Sequence, residues 1–329
     1  MDITVFEHIK QNLTALSLEE IKGLIQNAMN GRTVRTPLLN SGHHLYRARK
    51  LGKDFIKEAG IRLAQLSYPP ASSTRIGRLN RDGSPLFYSS TCKEAVFFEL
   101  DLKAGDEIVL SIWETTEPAL VNHLGYTEPV FQTLGSTRNL PAWTQEAAAA
   151  CLEVPPNTTA SNVGVAGRPM SGDVFSQLFS EVVQPSDQEK YKLTSAIAEL
   201  HYESIDHDTH RFAGILYPSV RMRANGDNLA LMPWFADAHL RFKKATHIRI
   251  DAAEAHKFSV TSLDTAISSD AAGLLQWSGN RPLIHFKNPI SFQFLAGVDE
   301  HGDYILGANQ LIGHWGCTDN VTGERLYPA

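Results

Sequence analysis

The sequence predicts an α+β fold, and three observations carry that reading. Short stretches with a period of two, such as the run ending Leu86, Tyr88 and Ser90, sit beside segments whose apolar residues recur at helical spacing. Capping boxes of the Ser/Thr-x-x-Glu type open two of the helical segments. Between Pro118 and about Pro185 all period is lost, and after residue 250 the chain turns mostly to short β-type runs. The predicted organisation is a helical N-terminal segment (1–42), a core (43–250) with an insertion at about 117–189, and a mostly β C-terminal extension (251–329).

The first element is a helix. Ser17-Leu18-Glu19-Glu20 is a capping box, and Leu18, Ile21, Ile25 and Met29 share one face of a helix that ends near Asn30-Gly31. No chemistry is visible in this segment, so packing or a partner surface is its expected use. Leu45-Tyr46-Arg47-Ala48-Arg49 follows the Ser41-Gly42-His43-His44 turn as a strand, with Arg47 and Arg49 on the face opposite Tyr46. A guanidinium fork suits carboxylates and phosphates, so one of these arginines is expected to reach an acidic side chain or an anionic ligand.

The stretch from Gly77 to Leu100 holds most of the functional signal. Gly77-Arg78-Leu79-Asn80-Arg81-Asp82-Gly83 is turn chemistry, with two glycines free to take positive φ and side chains able to close local turns. The strand that follows alternates Leu86, Tyr88 and Ser90 with Phe87 and Ser89, which puts the Phe87 and Tyr88 rings on opposite faces. Thr91-Cys92-Lys93-Glu94 is the second capping box, and Ala95, Phe98 and Leu102 form the stripe of the helix behind it. Glu99 falls inside that stripe. An ionised carboxylate turned toward a protein interior needs a cation or several donors, so Glu99 is expected to have a partner elsewhere in the chain.

Further on, Asp106 to Thr115 reads as a strand with Ile108, Leu110 and Ile112 on one face. A short helix around Gln145 to Glu153 interrupts the insertion, and a helix from Ser186 to Glu203 carries Leu193, Ile197 and Leu200. Ala213 to Tyr217 is a buried-type strand that stops at Pro218-Ser219, which leaves a serine just past a strand end, a position suited to a site. Asn225-Gly226-Asp227-Asn228 reads as a turn. The tail offers strands at Leu283–Phe286 and Ser291–Leu295, then the GDYILG and LIGHWG segments.

Composition narrows the function. Hydrophobic residues at 43% and charged residues at 20% suit a globular protein with a sizeable core. The net charge is −6 and there is no Lys/Arg block, which argues against nucleic-acid and membrane partners. The three cysteines, Cys92, Cys151 and Cys317, are far apart and lack Cys-x-x-Cys spacing, which argues against a disulfide framework or a zinc site and for a reducing compartment. No apolar run reaches the roughly 18 residues of a membrane span, and the N-terminus lacks a signal-peptide pattern, so the expected location is cytoplasmic. Asp206-His207-Asp208-Thr209-His210 concentrates potential ligands at a spacing that matches no metal motif, and no metal is expected. Gly-x-Ser-x-Gly, Walker-type, His-Glu-x-x-His and Gly-x-Gly-x-x-Gly motifs are all missing from the sequence.

Taken in order, LYRAR (45–49), GRLNRDGSPLFYSS (77–90), AVFFEL (95–100), GILYPSVR (214–221) and the GDNLALMP run (226–233) resemble the RES domain family, named for an Arg, a Glu and a Ser. That family includes the toxins of Xre–RES toxin–antitoxin pairs. On the resemblance, Arg47 matches the family arginine, Tyr88 the tyrosine of its strand, Glu99 the glutamate and Ser219 the serine, and these four are the catalytic candidates. Gly77, Arg78 and Asn80 match its glycine-arginine turn and, with Tyr46, are the substrate-binding candidates. The likeness covers about 43–116 and 190–250.

The resemblance implies an ADP-ribosyltransferase-like core that degrades NAD+, by phosphorolysis to nicotinamide and ADP-ribose-1-phosphate. ADP-ribose transfer to a macromolecule, NAD+ hydrolysis, and nucleotide binding without catalysis are the alternatives. It implies no cofactor: NAD+ is the substrate and inorganic phosphate the co-substrate. A neutralising antitoxin or immunity protein is the implied partner. The chemistry is consistent with these residue types, since breaking the nicotinamide–ribose bond builds positive charge on the ribose, which a fixed carboxylate stabilises.

Overall fold

The computed structural model describes residues 3–29, 38–52, 60–141, 187, 189–203, 212–254 and 257–278, and the backbone of five short strands between 290 and 326. Helices α1 (Ile3–Gln11) and α2 (Leu18–Met29) come first. The capping box at α2 forms: Glu20 Oε2 accepts the Ser17 N–H at 2.8 Å and the Ser17 hydroxyl at 2.7 Å, and the Glu20 N–H donates back to Ser17 Oγ at 3.3 Å. These two donors hold the exposed Glu20 carboxyl below its usual range.

The strands are β1 (Leu38–Leu39), β2 (His44–Lys50), β3 (Phe87–Ser90), β4 (Glu107–Thr115), β5 (Ala119–His123), β6 (Gly214–Pro218), β7 (Asp227–Leu231), β8 (Leu240–Glu254), β9 (Lys257–Ser269) and β10 (Leu275–Trp277). Five more follow: β11 (Ile290–Phe294), β12 (Gly297–Val298), β13 (Tyr304–Ile305), β14 (Gly316–Asp319) and β15 (Arg325–Leu326). The main sheet runs β1-β5-β6-β7-β3-β2-β4-β8-β9-β11-β14-β15, with β10 on β9. Its pairs are antiparallel except β5–β6, which makes the sheet mixed. Helices α3 (Ala95–Glu99), α4 (Glu128–Leu134), α5 (Lys190–Glu203) and α6 (Pro233–His239) complete the α+β architecture. Among the described residues, no helix is long and apolar enough to cross a membrane.

Several expectations need correction. The insertion does not begin at 117, because β5 lies inside the sheet between β1 and β6. Nor does residue 250 mark a structural break: β8 runs through it, and β11 of the extension pairs with β9 in the same sheet. The second capping box does not form. Thr91 instead joins its N–H to the Asp227 carbonyl at 3.0 Å, and α3 starts with no side-chain cap on Glu94. The helix is one turn shorter than its apolar stripe, since Leu100 leaves helical geometry and Asp101 takes φ of 48°. Leu102 still joins Ala95 and Phe98 in one cluster, from beyond the helix end. The Gln145–Glu153 helix, the Asp206–His210 run and the Leu283–Phe286 strand lie outside the described residues.

The period of two sorts the core. On one face of the sheet Leu45, Phe87, Val109, Trp113, Leu229 and Leu231 form a single cluster, with the Phe87 ring edge-on to Trp113 at 5.5 Å. The other face carries two clusters. One joins α1, α2 and α5 to Leu79, Ile215 and Ala230, and the other joins α3 to Ile108, Leu110, Ile248 and Val260. Phe6, Ile9, Ile21 and Ile25 are each at most 1% exposed. At about 1.5–3 kcal/mol for each buried side chain, the N-terminal helices are held to the core by the hydrophobic effect.

The seam between those two clusters falls where the sheet itself divides. Strand β2 pairs with β4 along its whole length, from His44↔Glu114 to Lys50↔Ile108. Against β3 it keeps one pair, Tyr46↔Ser90. Beyond that pair the two strands diverge, and a cleft opens in the fork under α3.

Candidate functional site

Register builds the floor of this cleft. Tyr46 pairs with Ser90, Ser90 with Asn228, and Asn228 with Tyr217. Directly paired residues project to the same face, so four side chains from β2, β3, β7 and β6 stand in one row, at strand spacings of about 4.8 Å. The cavity of about 160 Å³ above them is also lined by Arg47, Tyr88, Val96 and Glu99. An apolar cavity of about 150 Å³ takes one benzene ring, so there is room for a single planar ring, with the remainder of a larger ligand outside.

Glu99 is the last residue of α3. The structure places it on the cleft wall, where it is solvent-exposed, and among the described residues no cation pairs with it. This corrects the expectation that the carboxylate is turned to the interior, while the partners expected for it are present, among the described residues, as hydrogen-bond donors and not as a cation. The shortened helix is the reason: Glu99 sits at its exit and leans toward the fork. Its Oε1 instead accepts two neutral donors, Ser219 Oγ at 2.6 Å and Asn228 Nδ2 at 2.8 Å. Such bonds to a charged group contribute about 1.5–3 kcal/mol each. Ser90 Oγ donates to Asn228 Oδ1 at 2.6 Å, which settles the orientation of the amide. Ser219, fully buried, also accepts the Met222 N–H at 3.2 Å. One oxygen of Glu99 is therefore pinned, and among the described residues its Oε2 has no hydrogen-bond partner.

Arg47 and Arg49 do share a face, and neither reaches Glu99. Arg49 Nη1 donates to the Gln65 carbonyl at 2.8 Å, and Arg49 does not line the cleft. Arg47 lies over the Phe87 ring at 5.7 Å and donates from Nη1 to the Tyr88 carbonyl at 2.7 Å, which bridges β2 to β3 where their backbone ladder has stopped. Arg47 lines the cleft, and its buried Nε has no partner among the described residues. Burial, helped by the nearby Arg49 charge, lowers its pKa to about 10, which leaves it cationic at neutral pH.

Tyr88 walls the cleft with its ring and anchors the 77–83 turn with its hydroxyl. The hydroxyl donates to Asn80 Oδ1 at 2.8 Å and accepts the Leu79 N–H at 3.2 Å. Asn80 is buried, and its Nδ2 donates to the Arg75 and Arg81 carbonyls, both at 2.9 Å. Gly77 and Asn80 therefore lie behind the cleft wall, outside the lining. Gly83 uses a positive φ of 76°, whereas Gly77 is needed for closeness: a Cβ there would lie 2.7 Å from Asn80 Oδ1. Arg78 is half-buried, and its charge acts on the Tyr88 and Tyr217 hydroxyls, whose pKa values burial raises.

Tyr88→Phe is expected to lower stability by about 1–3 kcal/mol, because it strands a buried acceptor on Asn80 and the Leu79 amide. The denaturant midpoint measures this; an unchanged midpoint would show that the hydroxyl anchors nothing.

The structure thus brings Tyr46, Arg47, Tyr88, Glu99 and Ser219 together, with Gly77, Arg78 and Asn80 supporting them. It adds Asn228, Ser90 and Tyr217, to which the sequence reading gave no role. Asn228 does not belong to a turn, since β7 begins at Asp227. The available signal was an asparagine, a poor strand former, directly before the Leu229–Leu231 apolar run. Among the described residues no group of three or more His, Cys, Asp and Glu is placed to hold a metal. No protein-family model matches the chain, and a search of the curated proteins finds no match.

Proposed function

We propose that this protein degrades NAD+ by cleaving its nicotinamide–ribose bond, with inorganic phosphate as acceptor, and that its core is an ADP-ribosyltransferase-like domain of the RES type. The observation that carries the proposal is the pair of opposite charges in one cleft. Glu99 and Arg47 both line it, and neither is neutralised by an ion pair among the described residues. NAD+ has the complementary distribution, a cationic ring joined through ribose to an anionic pyrophosphate.

In this reading the nicotinamide ring enters the cavity between Tyr46 and Tyr88, and Glu99 Oε2 accepts the ribose 2′-hydroxyl. The C–N bond breaks with its electron pair going to the ring nitrogen, so nicotinamide leaves neutral. The positive charge passes to the ribose, next to the Glu99 carboxylate, where the transition state gains more than the ground state does. Ser219 and Asn228 keep that carboxylate in place, so no reorganisation is needed as the charge develops. Arg47 and Arg78 supply positive charge for the pyrophosphate or the incoming phosphate. A phosphate oxygen bonds to the anomeric carbon, giving ADP-ribose-1-phosphate, and the phosphate proton goes to solvent.

The test is to incubate the purified protein with NAD+ in phosphate-free buffer, titrate phosphate, and identify the products by mass. Nicotinamide and ADP-ribose-1-phosphate appearing in proportion to phosphate is the expected result. Free ADP-ribose formed without phosphate would reject phosphorolysis, label retained on protein would indicate transfer, and intact NAD+ would reject the activity.

A further inference from the structure

The 77–83 turn is gripped from behind as well as from the cleft. Arg81 extends its guanidinium away from the cleft, toward α5 and α2. There Nε and Nη2 donate to the two oxygens of Glu199 on α5, and Nη2 also donates to Glu19 Oε1 on α2 at 2.7 Å. Lys22 of α2 closes the set, 3.1 Å from Glu199 and 3.8 Å from Glu19. Two acids and two bases alternate, so the cluster is neutral. Glu199 and Lys22 are largely shielded, with side chains 13% and 11% exposed, which limits screening by water. The main chain of the same arginine carries the other end of the link: the Arg81 carbonyl accepts Asn80 Nδ2, and Asn80 Oδ1 accepts the Tyr88 hydroxyl.

We propose that Arg81 is a positioning residue that ties the N-terminal helices to the cleft: its guanidinium seats on Glu199 and Glu19, this fixes the 77–83 turn, and the turn fixes the Tyr88 ring that walls the cavity. The helices then belong to the working site although they carry no residue in it. A turn released at Arg81 lets Asn80 rotate and costs Tyr88 its hydroxyl anchor. The ring still packs against its apolar neighbours, so the effect falls on the precision of the wall and not on the fold. Misplacement of a positioning group by about 1 Å is enough for a 10²-fold loss of rate. The inference rests on the NAD+ reading for its activity measurement alone.

The experiment compares wild type with Arg81→Met, Arg81→Lys and Lys22→Met by hydrogen exchange and by nicotinamide release from NAD+. The Leu79 amide, which donates to the Tyr88 hydroxyl, is the reporter. In Arg81→Met its exchange is expected to accelerate about tenfold or more while amides of the β8–β9 ladder keep their protection. The same variant is expected to lose roughly 10- to 100-fold in kcat with KM altered much less. Arg81→Lys, which keeps the charge but not the fork, is expected to lie in between and serves if Arg81→Met does not fold. Lys22→Met, which leaves the Arg81–Glu199 pair in place, is expected to keep Leu79 within about twofold of wild type. Unchanged Leu79 exchange in Arg81→Met overturns the proposal, as does equal acceleration in Lys22→Met, which would assign the effect to helix packing. Should wild type release no nicotinamide while Leu79 responds as described, the NAD+ reading fails and the link from Arg81 to the cleft stands.

Discussion

Glu99→Gln is expected to lower nicotinamide release from NAD+ by about 10²- to 10³-fold or more, the scale seen when one preorganised group facing a developing charge is removed. The substitution suits the geometry. A glutamine Oε1 can still accept from Ser219 Oγ and Asn228 Nδ2, so the side chain keeps its place. What changes is the other end, where an amide NH₂ replaces the anionic Oε2, and the charge opposing the ribose cation is lost. Glu99 is exposed and, among the described residues, has no ion pair, so folding should be preserved, with circular dichroism and thermal midpoint close to wild type. The effect should appear in kcat and kcat/KM together, because the carboxylate acts where charge develops. A variant keeping a third of wild-type turnover would remove Glu99 from the mechanism.

The largest expected effect on stability is at Gly214. A methyl group there would lie 2.2 Å from the Ala230 carbonyl oxygen and 3.0 Å from Leu231 Cα, both backbone atoms. Gly214 is held on both sides, opposite Val121 of β5 and Leu231 of β7. Neither neighbour can move by changing a rotamer, so Gly214→Ala must spread the sheet. Overpacking commonly costs about 1–3 kcal/mol; with backbone on the receiving side we expect about 3 kcal/mol or more. Strand β6 leads into Ser219, so surviving folded protein should also lose turnover. The urea midpoint measures the first effect, and a midpoint matching wild type would contradict the predicted clash.

How much of the site was legible depended on the range of the interaction. The Ser17–Glu20 box formed as expected because its partners are three residues apart. The box at Thr91 has the same spelling and does not form, because β7 offers Thr91 the Asp227 carbonyl, a competitor 136 residues away in the chain. Phe87 and Tyr88 went to opposite faces because strand alternation is a property of the backbone alone. Reading Glu99 as part of the α3 stripe assumed that the helix continued to Leu102. It stops three residues earlier, and that places the carboxylate on the cleft.

By itself the sequence determined the α+β character, the strands that carry Tyr46, Arg47 and Tyr88, and which residues have the chemistry for a site. These follow from side-chain periodicity, turn residues and capping, all of which act over a few residues. Only the tertiary structure decided the cross-strand row of Tyr46, Ser90, Asn228 and Tyr217, the pinning of one Glu99 oxygen by Ser219 and Asn228, and the seating of Arg81 on Glu19 and Glu199. Those depend on strand register and on how far β2 stays with β3. Register is a sum over a whole sheet of pairings, and a local pattern allows several sums.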